Sequence, residues 1–360
     1  MKTVFHTILQ QLRHNEPVAL ATVVARKGSL PMSTHAKMAV FSDGSIAGTI
    51  GGGALEANVI QAAMQGMAVK TATLLSFELT AEQVESDGLT CGGAVEIFLE
   101  YFESSSLPFI ETLTTVYAQE QSTVVVTVLP GTAKTATSAA LHGQRLLFHE
   151  NGPSTGTTGD PALDVDIARF ARSYLGKDAL GRHAVPCEDG DAVQLFFETI
   201  VPRPTVYLFG GGHISYQLAR LLPMLDFDFV VVDDRAAFAN QQRFPEASAC
   251  VVHDFADISS VVTSDAHSAY AIIVTRGHQS DFEVLQQALR LQFVYIGMIG
   301  SRRKINILFE KLRCQGVSQE TLATIHAPIG LNIGADTPEE IAVSIAAELI
   351  QIRRRKSNNP

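Results

Sequence analysis

No stretch of the 360 residues stays apolar for the ~18 positions needed to cross a bilayer, because glycine, proline or a charge interrupts every candidate. A membrane span is therefore not expected. Cysteine is scarce: Cys91, Cys187, Cys250 and Cys314 lie far apart and form no CxxC pair, which argues against a zinc knuckle or a disulfide framework and predicts a reducing cytoplasm. Positive charge is also short, with 27 Lys and Arg against 37 Asp and Glu and a formal net charge of −10, so holding nucleic-acid backbones is not the expected task. Arg13, His14 and Glu16 break the segment where a secretion signal needs an apolar run. What remains is an ordinary globular composition, 46% hydrophobic and 18% charged, which excludes disorder as the main state. The length predicts two domains or three.

Phe5, Ile8, Leu9 and Leu12 recur at helical spacing and predict a helix over 3–15. VALATVVA then reads as a strand, and Ser42-Asp43-Gly44-Ser45 as the turn of a following hairpin. Gly51, Gly52 and Gly53 open a further helical pattern, strands are expected over 69–79 and 94–102, and Cys91-Gly92-Gly93 lies in the loop between them. Residues 124–130 and 194–200 suggest strands and 162–175 a helix, whereas the Thr, Ser and Gly of 131–160 suggest an exposed hairpin and loops. Beyond Val201-Pro202-Arg203-Pro204, six short apolar runs alternate with helical patterns, which specifies a doubly wound parallel sheet. The expected class is α/β: an N-terminal α+β domain over 1–200 and a Rossmann-like domain over 201–360. No internal repeat is visible in the sequence.

Three loops of that second domain carry the chemistry. Gly210-Gly211-Gly212-His213-Ile214-Ser215 follows a strand and opens a helix, the setting of a dinucleotide turn, with Ser215 where a third glycine is usual. Asp233 and Arg235 follow at the offset where an acid reaches a ribose hydroxyl. The alternative is a scaffold that uses its glycines only to turn the chain. Arg276, His278 and Asp281, and then Gly300, Ser301 and Arg302, lie after later strands, where open α/β sheets place ligands and helix starts favour anions. Arg302, Arg303 and Lys304 read equally as a solvated helix face. In the first domain, Gly51–Gly53 ahead of Glu56 offers another anion-binding helix start. Cys91 is either a functional thiol, given its flanking glycines, or a small buried hydrophobe.

Together these segments, ATVVARKGSLP, KMAVFSDGSIAGTIGGGALE, CGGAVEIFLE, LFGGGHIS, VVDDRAAFAN, VTRGHQSD, YIGMIGSRRK and PIGLNIGADTPEEIAVSIAAEL, resemble the xanthine dehydrogenase accessory factors of the XdhC/CoxI family. The resemblance touches most of 18–102 and 205–350. It implies a maturation factor that binds the molybdenum cofactor, as molybdopterin or its dinucleotide form, protects it while a cysteine desulfurase supplies sulfur, and inserts it into a molybdenum hydroxylase apo-enzyme. A cytoplasmic homodimer without turnover of its own is the accompanying expectation. The cofactor-binding residues implied are Gly51, Gly52, Gly53, Glu56, Cys91, Gly92, Gly93, Gly210, Gly212, His213, Asp233, Arg235, Arg276, His278, Asp281, Gly300, Ser301 and Arg302, with Cys91 a candidate ligand to molybdenum as a soft thiolate. The competing reading is an NAD(P)-dependent oxidoreductase. Against it, no tyrosine is followed four residues later by lysine, although His213 or His278 would serve as an acid or base.

Overall fold

A computed structural model describes residues 2–28, 32–33, 35–79, 93–117, 122–130, 141–186, 192–263 and 268–357. Cys91, Gly92, Cys187 and segment 131–140 lie outside the described residues. The chain divides into two compact units, Met1–Pro202 and Arg203–Pro360.

In the first unit α1 (Lys2–Arg13) precedes β1 (Val18–Gly28), β2 (Lys37–Phe41) and β3 (Ile46–Thr49), and α2 (Gly53–Gly66) leads to β4 (Thr73–Leu79) and β5 (Gly93–Phe102). These strands form an antiparallel sheet in the order β3-β2-β1-β5-β4. A second series follows: α3 (Leu107–Val116), β6 (Thr123–Leu129), β7 (Arg145–His149), α4 (Pro161–Tyr174), β8 (Leu180–Pro186) and β9 (Ala192–Ile200). Its sheet order, β7-β6-β9-β8, is that of the first series with β2, β1, β5 and β4 replaced one for one. Even β3 has a counterpart, since an isolated bridge pairs Leu147 with Thr155 beside β7. The structure therefore corrects the expectation of no repeat. The two series share ladder positions, with identical residues confined to short segments that a reading by composition and periodicity passes over.

β1 is buried along its first seven residues because both its faces are covered. Ala19, Ala21 and Val23 pack with Leu55, Val59 and Ala63 of α2, whereas Val18 and Leu20 join a cluster that includes Val125, Leu147 and Ile200 of the second series. On the far side, Leu163, Ile167 and Ala171 of α4 cover β6 and β9. The unit is thus helix, sheet, sheet, helix. The stripe of α1 (Phe5, Ile8, Leu9, Leu12) is buried as its spacing predicts, each side chain contributing roughly 1.5–3 kcal/mol. The helix ends at Arg13, with Asn15 in a left-handed conformation just beyond.

In the second unit β10 (Thr205–Phe209), α5 (His213–Leu221), β11 (Asp228–Asp233), β12 (Ala249–Val252), β13 (Tyr270–Ile273), α6 (His278–Leu291), β14 (Tyr295–Met298), α7 (Arg302–Cys314), α8 (Gln319–Ala323), β15 (Ile325–His326) and α9 (Pro338–Ser357) follow in turn. Every strand pairing is parallel, in the order β12-β11-β10-β13-β14-β15. Separate apolar clusters fill the two faces. The chain winds outward through β10, β11 and β12, then returns to place β13 beside β10. That junction is the switch point at which such sheets hold ligands.

Candidate functional site

At the switch point the turns after β10 and β13 touch. A Cβ on Gly210 would lie 2.4 Å from the Val274 carbonyl oxygen, and the Gly210 amide donates to the Val232 carbonyl at 2.7 Å. Gly211 is fixed by a second close approach, because its Cβ would sit 2.2 Å from the Phe238 carbonyl oxygen. Gly212 differs. It caps α5, and no atom lies within 4 Å of the Cβ it lacks. Gly277 caps α6 with the same open surroundings. Two helix N-termini with unobstructed caps therefore stand after the two strands that form the switch point, where partial positive charge favours an anion. Ser215, in place of the third glycine, is buried and donates its hydroxyl to the Gly210 carbonyl. The extra atoms hold the turn instead of obstructing it.

Asp233, only 1% exposed, is not presented to a ligand. One carboxylate oxygen accepts from the Arg235 amide at 3.1 Å and Arg235 Nε at 2.8 Å; the other accepts from the Gly211 amide at 2.8 Å and Arg235 Nη2 at 3.0 Å. Burial pushes this carboxyl up, but the Arg235 guanidinium and the amides outweigh it and hold it below the usual carboxylate range. Arg235 also lies over the Phe238 ring, 3.7 Å from its centre. The neighbouring Asp234 pairs with Arg276 at 2.9 Å, which ties the loop after β11 to the loop after β13.

Asp281, expected at the ligand, is wholly buried. It accepts from the Thr275 amide at 3.1 Å and the Thr275 hydroxyl at 2.6 Å, and pairs with Lys304. It is a brace beneath the α6 cap. Ser301 caps α7, accepting from the Lys304 amide at 3.3 Å, and Gly300 sits beside the Lys304 stem. His213, His278 and Arg302 are exposed on the first turns of α5, α6 and α7.

In the first unit Gly51, Gly52 and Gly53 all have positive φ, 123°, 82° and 64°. Glu56 reaches back under them: its Oε1 accepts from the Thr49 hydroxyl, the Ile50 amide at 3.0 Å and the Gly52 amide at 2.9 Å. Burial raises this carboxyl, and the Thr49 hydroxyl and loop amides lower it further, so it stays ionised below its ordinary range. Glu56 consumes loop amides that the sequence alone left free for a ligand. Gly52, the cap of α2, has no side chain, and nothing lies near the Cβ positions of Gly52 or Gly53. Gly93 begins β5, paired with Gly28 and Leu79. Among the described residues no group of three His, Cys, Asp or Glu side chains could hold a metal ion.

The loop before α4 is the same loop built a second time. Thr157-Thr158-Gly159-Asp160-Pro161-Ala162-Leu163-Asp164 stands where Thr49-Ile50-Gly51-Gly52-Gly53-Ala54-Leu55-Glu56 stands in the first series. Asp164 accepts from the Thr157 hydroxyl and from the Thr158 amide at 2.9 Å, as Glu56 does from Thr49 and Ile50. The caps differ in backbone as well as side chain: Gly52 has φ 82° and donates its amide to Glu56, whereas Asp160 has φ −109° and donates its amide to the Thr158 hydroxyl. Asp160 fills the Gly52 position and accepts from the Ala162 and Leu163 amides at 2.9 and 3.1 Å. Sequence reasoning missed this sealed copy, although the pattern T-x-G-x-x-A-L-acid in both segments would have found it.

Comparison with known proteins agrees with the fold. Residues 11–78 match the XdhC and CoxI family and residues 206–349 match the XdhC Rossmann domain. The chain is 28% identical over 354 residues to a probable xanthine dehydrogenase subunit of Bacillus subtilis, covering 98% of each protein. It is 31% identical over 233 residues to the uncharacterized protein YqeB of Escherichia coli, where the alignment spans 62% of this chain and 42% of that protein. In three dimensions it resembles a crystal structure of a xanthine dehydrogenase from Bacillus halodurans, with TM-score 0.76, 22% identity, and 98% and 97% of the two chains covered, a likeness of fold. A Rossmann sheet with open glycine caps at its switch point, joined in sequence to the glycine-loop unit matched at residues 11–78, places this chain in the XdhC family.

Proposed function

We propose that this chain is an accessory factor in the maturation of a molybdenum hydroxylase of the xanthine dehydrogenase type, and that its cargo is the molybdenum cofactor. The observation that carries the reading is the contrast between two loops of one fold: α4 is capped by the Asp160 carboxylate, and α2 has that carboxylate replaced by glycine with open space before it. An anion arriving at α2 takes the place of the Asp160 side chain, on amides that the fold already orients. The cargo carries phosphate, and the switch-point caps at Gly212 and Gly277 supply a second phosphate site of the same chemistry. The described residues thus fit an anionic pterin through backbone amides.

In this reading Glu56 and Asp281 position the loops without touching the ligand, Asp233 holds Gly211 and Arg235 in place, and His213, His278 and Arg302 line the ligand side of the helix starts. Cys91-Gly92-Gly93 adds the soft thiolate that would contact molybdenum or its sulfur. Delivery implies two partners, a hydroxylase apo-enzyme and a cysteine desulfurase, and a homodimer in the cytoplasm is part of the proposal. The nicotinamide reading is disfavoured because both oxygens of Asp233, the residue that would hold a ribose, are occupied by protein donors. Native mass spectrometry of the protein purified from cells that synthesise molybdenum cofactor is expected to show a bound molybdopterin mass. Titration with NAD and NADP should show no binding. Bound nicotinamide and no pterin would overturn the proposal.

A further inference from the structure

Four charged side chains are sequestered inside the first unit, around a cavity of about 20 Å³ that has room for one water molecule. Lys37 is 5% exposed, Glu100 5% and Glu198 7%, and Arg145 is nearly as deep. Lys37 pairs with Glu198 at 2.8 Å, and Arg145 pairs with Glu100. Burial drives the Arg145 guanidinium down to about 10, against the pull of Glu198. Burying four charges is costly unless each is paired, and apolar residues of similar volume often do as well. Stability alone does not account for them.

Their placement does. Lys37 opens β2 opposite Thr22 of β1, and Arg145 opens β7 opposite Thr127 of β6. Glu100 of β5 faces Leu20 of β1, and Glu198 of β9 faces Val125 of β6. Lys37 and Glu100 of the first series thus have Arg145 and Glu198 as counterparts at the same rungs of the second. Gly48 and Gly156 extend the match: both have positive φ (85° and 92°), and a Cβ on either would strike the carbonyl oxygen of the paired cation, Lys37 at 2.4 Å or Arg145 at 2.5 Å. Val95-Glu96-Ile97-Phe98-Leu99-Glu100 and Val193-Gln194-Leu195-Phe196-Phe197-Glu198 supply the matching inner strands. In a two-fold contact, if residue i of one copy meets residue j of the other, then j of the first meets i of the second. Lys37 with Glu198 and Arg145 with Glu100 obey this rule.

We propose that the described residues of 2–200 form two copies of one module docked as a dimer within a single chain, and that the crossed pairs Lys37–Glu198 and Arg145–Glu100 select this docking. The partner that the inner face of each sheet fits is a second copy of the same module. A shifted or rotated docking would leave these four charges unpaired within an apolar contact.

Thermal unfolding of the full chain tests this. Lys37→Glu and Glu198→Lys alone should each lower Tm by about 10 °C, and the reciprocal double variant should regain more than half of the loss. Arg145→Glu, Glu100→Arg and their double variant should behave alike, because the two sites are equivalent. Exchanging the cations, Lys37→Arg with Arg145→Lys, should move Tm by only about 2 °C. Where a reversed variant does not fold, Lys37→Met and Arg145→Met should show matched losses. The proposal is overturned if the reciprocal variants are as unstable as the sum of their singles, or if one pair proves silent while the other is essential.

Discussion

The loops before α2 and α4 have the same braces and different mouths. In both, a first-turn carboxylate, Glu56 or Asp164, accepts from a threonine hydroxyl and the next amide. The loop before α6 has a related device, in which Asp281 accepts from both the hydroxyl and the amide of Thr275. Above the brace the three diverge: Asp160 satisfies its own helix, whereas Gly52 and Gly277 do not. A protein that needed only stable helices would place an N-cap side chain at all three. The brace belongs to folding, and under the proposed function the uncapped starts are where the cargo's anion sits.

The comparison breaks most severely at the deepest brace. Asp281→Ala leaves Lys304 facing a vacated site and is expected to cost about 3–5 kcal/mol in chemical denaturation; a loss below about 1 kcal/mol would show that Asp281 is no brace. Next, Gly52→Asp places a carboxylate where the cargo's anion is proposed to sit, with Gly52→Ala, equally strained at φ 82°, as the control that carries no charge. Affinity of the Gly52→Asp variant for molybdopterin, read by native mass spectrometry, should fall about a hundredfold, whereas opening the second mouth with Asp160→Gly and Pro161→Gly should leave it unchanged. Undiminished binding to the Gly52→Asp variant would remove α2 from the site. Asp160→Ala should destabilise by about 1 kcal/mol, the cost of a lost cap, visible as a small shift in the urea midpoint.

The smallest effect concerns pH. Glu56 titrates below its ordinary value of 4.5 when folded, so its contribution is complete above that pH and is lost as pH falls through the lower, folded value. Glu56→Gln should therefore lower Tm at pH 7, and the gap from the parent should narrow below about pH 4.5. A gap that widens in acid would mean that the carboxylate is not held ionised by the loop.

Much of the second unit was legible in its sequence. Apolar runs such as TVYLF and FDFVVVD are buried on both faces, and glycine after the first of them announces a turn. Strand β8 was not legible: Leu180-Gly181-Arg182-His183 has neither alternation nor an apolar run, and it is a strand because β9 offers it a ladder. Asp233 and Asp281 were expected at the ligand and are instead buried on Arg235 and Lys304, because a sequence cannot tell an acid that meets a ligand from one that meets a cation of its own chain. Cofactor-binding loops and braced loops use the same residue types.

By itself the sequence determined the periodicities, the turns and the positions of glycine, because these follow from interactions among residues a few places apart. The tertiary structure decided that residues separated by about a hundred positions are equivalent, that their charges cross, and that one of two matching helix starts is sealed. A shared local pattern can hint at equivalence, but strand register and the crossed partners are set only when folding brings the strands together.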